Sequence, residues 1–140
     1  VIGMTAWLRA RPSLVLAVTA ALLAFTTWLD YVTGYELGFF IFYFLPVSLA
    51  AWLVGRRAGV AVALASGSCW FLSDRMAHHP YSNALFIYWE TAMRLASYLT
   101  TALTLARIRA DTVARQGLEA RLDAAQRELE QLRAPAAPPG

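Results

Sequence analysis

Apolar residues run along this chain in four long blocks, with few of the short alternations that mark strands. The blocks cover residues 14–32, 37–54, 58–74 and 84–106. Each is near the roughly 20 residues that a bilayer asks of a spanning helix. In lipid a helix satisfies its own backbone polar groups, so four spanning helices is the simplest reading. The polar intervals between the blocks are short, which makes consecutive helices antiparallel neighbours. The pattern therefore predicts an all-α fold: an integral membrane, up-down four-helix bundle over residues 1–109. The first block follows Arg9 and Arg11 as a secretory signal would. No small-residue cleavage site follows it, so it is expected to be retained. Pro46 falls inside the second block and predicts a kink there.

Beyond the fourth block the pattern changes. Leu118, Leu122, Ala125, Leu129 and Leu132 follow a 4-3-4-3 spacing, the a/d seam of a coiled coil. With Leu122 at position a, Glu128 is a g residue and Arg133 the following e. That pair meets across a parallel two-stranded coil. Residues 110–133 are thus expected to form a coiled-coil helix that joins copies into a parallel homo-oligomer. Residues 134–140, "APAAPPG", are expected to be a disordered Pro/Ala tail.

Composition agrees with a membrane domain and a water-facing tail. The 140 residues are 59% hydrophobic, with a mean hydropathy of +0.48. All twelve basic residues are arginine, as expected of a bacterial genome rich in GC codons. Arg9 and Arg11, Arg56 and Arg57, and Arg107 and Arg109 flank the blocks on one side. The positive-inside rule makes that side cytoplasmic, with both termini there, in a bacterial inner membrane. The net charge of +3 is explained by topology, and no nucleic-acid partner is expected. A lone cysteine, Cys69, rules out an internal disulfide and any CxxC motif.

Two charges break the fourth block. A charge near the bilayer centre costs roughly 2.5–3.5 kcal/mol on insertion scales. Glu90 and Arg94 are spaced i,i+4 and share a helix face, so each offsets part of the other's cost. Asp74 closes the third block on the same side, Asp30 nearly closes the first, and Arg75, Trp70, Tyr81 and Trp89 share this level. A ligand site is therefore expected among Asp30, Trp70, Asp74, Tyr81, Trp89, Glu90 and Arg94, near the outer face. The alternative is a polar network that fixes helix register, with the aromatic residues as an interfacial belt. The inner half carries almost no charge, which argues against a channel or transporter built from one copy. His78 and His79 are the only histidines, and a divalent metal or a haem is conceivable there. Walker, HExxH, GxSxG and kinase motifs are all absent, so no enzyme is expected.

"WLDYVTGYELGFFIFYFLPVSLAAWLVGRRAG", "CWFLSD", "HPYS" and "YWETAMRLASYLTTALTLARIR" together resemble the four-helix transmembrane input domain at the N-terminus of many bacterial signalling proteins. In that family a diguanylate cyclase, histidine kinase or phosphatase domain follows. The matching residues are Asp30, Thr33, Gly34, Phe42, Tyr43, Pro46, Trp52, Gly55, Trp70, Asp74, Tyr81, Ser82, Trp89 and Arg94. Glu90 stands where the family pattern has asparagine, and no output domain follows within these residues. The resemblance implies a sensor or anchor that signals through its last helix, either as the start of a longer protein or with a separate cytoplasmic output partner. The open alternatives are a haem- or metal-binding membrane protein in redox, gas sensing or electron transfer, and a purely structural membrane oligomer.

Overall fold

The computed structural model describes residues 7–33, 39–76, 83 and 85–133. Among them every regular element is helical and no strand occurs, as the block pattern predicts. The chain divides into two units, Val1–Arg107 and Ile108–Gly140.

In the first unit, α1 spans Pro12–Thr33. Proline at its first position costs nothing, because that N–H has no partner in a helix in any case. The second block folds as three kinds of helix in sequence. A 3₁₀ turn over Phe39–Tyr43 leads into α2, Phe44–Leu49, which passes into a π turn over Ala50–Val54. Pro46 has no N–H to give the carbonyl one turn back, so the ladder cannot run as plain α-helix through it. The kink expected at Pro46 is thus a change of helix type around it.

Gly55 ends the π turn, its N–H donating to the Ala50 carbonyl at 2.9 Å. Its φ of 134° lies where side chains are rarely tolerated, and the chain reverses there into α3, Arg56–Met76. A close helix pair results. A Cβ placed on Gly59 would lie 2.7 Å from the Ala51 Cβ, so only glycine allows this approach.

The last helix, α4, runs from Leu85 to Arg133. Nothing between the fourth block and the tail breaks it: Gly117 is the sole glycine there and no proline occurs. In the first unit a large side chain seats it. Tyr98 is fully buried, edge-on to Phe44 at 4.9 Å between ring centres and tilted against Tyr43 at 6.1 Å. Its hydroxyl donates to the Phe40 carbonyl at 2.9 Å. Tyr43, Val47, Ala51, Ala63, Trp70, Tyr98 and Ala102 form the core that the second block, α3 and α4 share.

By length and hydropathy, α1 can cross a membrane, with a mean hydropathy of 1.8 over its best window. The segment Phe40–Val54 is a shorter apolar helix, and among the described residues no other helix meets both criteria. In α3 and α4 the charges that flank or interrupt the apolar blocks fall within the helix itself.

In the second unit, α4 is solvent-exposed almost throughout. Leu118, Leu122, Leu129 and Leu132 are all open, Leu132 to 79%.

Candidate functional site

Four helix ends meet at one end of the first unit. They are the C-terminal ends of α1 and α3, the 3₁₀ turn before α2, and the early turns of α4. Asp30, Phe40, Tyr43, Trp70, Ser73, Glu90 and Arg94 come from these ends.

Arg94 is the centre of the arrangement. Its Nη1 donates to Glu90 Oε2 at 2.6 Å, the i,i+4 pair expected from spacing. Side chains on a helix lean toward its N-terminus, which brings Arg94 back over Glu90. The guanidinium lies 3.9 Å from the Trp70 ring centre and 5.2 Å from that of Phe40. A planar, weakly hydrated cation gains from such aromatic faces, the more so away from water. Arg94 Nε is buried without a hydrogen-bond partner. The side chain nonetheless stays 24% exposed and that of Glu90 39%, so the pair can be reached from outside.

The exposed side of the pair faces a cavity of ≈ 250 Å³. Phe40, Phe44, Trp89, Met93 and Tyr98 wall it, and Glu90, Arg94 and Ser97 supply its polar groups. Trp89 is itself 66% exposed and stands at the rim.

Asp30 belongs to an adjoining network. It is buried, with the Tyr43 hydroxyl 3.3 Å from its Oδ2 and a hydrogen bond to the Ser73 side chain. The same hydroxyl lies 3.4 Å from Thr27 Oγ1, which donates to the Leu23 carbonyl at 2.8 Å. Asp74 follows Ser73 at the C-terminal end of α3. Asp30, Asp74, Glu90 and Arg94 thus share one end of the unit, with Trp70 beneath Arg94. Asp30 does not line the cavity; its carboxylate is taken up by Tyr43 and Ser73. Arg75 stacks on Phe71 at 5.9 Å.

Tyr81, His78 and His79 lie outside the described residues, so the expected metal or haem ligands are not placed. Among the described residues no group of three or more His, Cys, Asp or Glu side chains is arranged to hold a metal.

Sequence reasoning named Arg94, Glu90, Trp70 and Trp89 but passed over Phe40, Phe44, Met93, Ser97 and Tyr98. Tyr98 had a signal, since it continues the i,i+4 row Glu90, Arg94, Tyr98. Phe40 and Phe44 had none, because both sit in a block where nearly every residue is apolar. The chain matches no protein-family model, no curated protein and no solved structure.

Proposed function

We propose that this chain is a non-catalytic sensory input module of a bacterial inner membrane. Its first unit is a four-helix membrane bundle, and its tail joins two copies in a parallel coil. The observation that carries the reading is Arg94 itself. A cation stacked on Trp70, tied to Glu90 and left open to an aromatic cavity is an expensive feature in an apolar helix, and intramembrane ionisable groups mark ligand or ion sites. Its surroundings favour lipid. Trp28, Leu72 and Met93 are each more than half exposed, on three different helices. In water so broad an apolar surface would aggregate; in a bilayer it is the correct face.

The ligand class follows from the walls. An apolar body fits among Phe40, Phe44, Met93 and Tyr98. A head that accepts hydrogen bonds fits Arg94, whose five N–H groups exceed what Glu90 takes up. A ligand that prefers one setting of α4 would shift the population of that setting, and the helix continues to Arg133.

The test compares the chain with its Arg94→Ala variant, both purified from bacterial membranes in mild detergent. Small molecules extracted from each are identified by mass spectrometry. A compound carried by the first and lost from the second is expected. Identical contents in two folded proteins would overturn the ligand reading and leave the Glu90–Arg94 pair as a register pin. An absorption band dependent on His78 or His79 in the same preparation would put haem binding in its place.

A further inference from the structure

Five polar residues of α4 in the first unit fall in one row, with Thr91, Thr100 and Arg107 off it. Glu90, Arg94, Ser97, Thr101 and Thr104 follow a 4-3-4-3 spacing, the same a/d rhythm as the leucines of the tail. They form a row on one flank of the helix. The bundle is packed by a neighbouring row, in which Ile87, Tyr98, Ala102 and Ala106 are buried. Ser97 and Thr104 are exposed, and Glu90, Arg94 and Thr101 are half-buried. From Thr104 to Leu118 is fourteen residues, two whole heptads, with Ile108, Asp111 and Arg115 at the a/d positions between them, so by sequence count the polar row and the leucine row keep one register across a charged step.

We infer that this polar row is a second-copy interface, and that the partner copy completes the cavity beside Arg94. The inference rests on the reading of the tail as a parallel coil. Its physical basis is a change of solvent along a single seam. In water, helices associate by burying leucine. In lipid that gain disappears, and helices associate through small and hydroxyl-bearing residues that permit close approach and hydrogen bonding. The seam is Ser/Thr-rich in the membrane part, carries Asp111 and Arg115 where it leaves the first unit, and is leucine-rich from Leu118 on, so its outer and inner stretches each have the chemistry their surroundings require. Ser97 Oγ donates to the Met93 carbonyl at 2.9 Å, and Thr101 Oγ1 to the Ser97 carbonyl at 2.9 Å. Both hydroxyls are thus satisfied within the helix and present a compact surface.

The charges fit the same arrangement. In a parallel pair, Glu90 at d and Arg94 at a occupy successive layers, and a two-fold axis brings four alternating charges together. Each Arg94 gives one N–H to its own Glu90 and has others free for Glu90 of the second copy. Glu90, Arg94 and Ser97 also line the cavity, so the second copy closes its open side. A ligand there would be held by both chains and would act directly on the spacing of the two α4 helices.

Cysteine cross-linking of the full chain in native membranes tests this, in a Cys69→Ala background. Ser97→Cys and Thr104→Cys lie on the seam. Ala96→Cys and Leu103→Cys, also exposed, lie on the opposite flank. Leu118→Cys and Ala125→Cys report on the coil. The expected result is disulfide-linked dimer at Ser97, Thr104, Leu118 and Ala125, several-fold above that at Ala96 and Leu103. Cross-linking at the tail with none at Ser97 or Thr104 overturns the membrane seam and leaves the coil standing, with lipid covering the row. A maximum at Ala96 and Leu103 overturns it in favour of the opposite flank. No cross-linking at any position removes the coil reading together with the seam.

Discussion

Two regions of the first unit are held by opposite means. The π turn and α3, joined at Gly55, come together through the absence of side chains: Gly59 admits Ala51 to a distance no Cβ would allow. The part of α4 in the same unit is seated by large side chains, Tyr98 in the core and Arg94 on its aromatic faces, beside the small Ala102 and Ala106. Backbones at close approach gain dispersion along their whole length and have one arrangement. A helix kept off by large rings leaves space between them, and the cavity beside Arg94 is that space. The lesson is that the rigid part and the receptive part differ in side-chain size more than in polarity.

The strongest way to break the contrast is Tyr98→Ala. It removes a fully buried ring and should lower stability by about 3–5 kcal/mol. The loss should appear as early exposure of α4 to proteolysis in mild detergent, ahead of α1–α3. The contrast within glycines is sharper. Gly59→Ala would press on the Ala51 backbone, 2.9 Å from its Cα, and should cost about 1–3 kcal/mol in unfolding measurements. Gly67→Ala meets the flexible end of Leu95, and its gain in helix propensity offsets the crowding, so a change within about 1 kcal/mol of zero is expected. Equal costs at the two sites would show that α4 is as tightly seated as the π turn and α3.

Arg94→Lys keeps the charge but loses the planar stack on Trp70, and should cost about 1 kcal/mol in the same assay. Tyr98→Phe should act on a similar scale. It keeps the ring and loses the hydrogen bond to the Phe40 carbonyl, a change of about 0.5–1.5 kcal/mol.

Much of this was legible along the chain. The four blocks are the four helical regions, because apolar continuity and helix propensity act on neighbouring residues. The Glu90–Arg94 pair was legible for the same reason, since i,i+4 spacing fixes who shares a face. The ends moved where apolar content was the sole guide. The block at 58–74 is a helix from Arg56 to Met76, because helix formation does not stop at a charge and Gly55 sets the true start. The fourth block and the tail, read apart from their differing hydropathy, form one helix, since nothing between them breaks the backbone ladder.

By itself, then, the sequence determined which segments are helical and which side chains line up along each helix. Both are decided by contacts within a few residues. Only the tertiary structure decided that Arg94 rests on Trp70 and Phe40, that Asp30 is engaged by Tyr43 and Ser73, and that a cavity opens beside the ion pair. Periodicity gives the rotation of residues about one helix axis. It does not give the rotation of one helix against another, which the packing of Gly59 on Ala51 and of Tyr98 between Tyr43 and Phe44 sets.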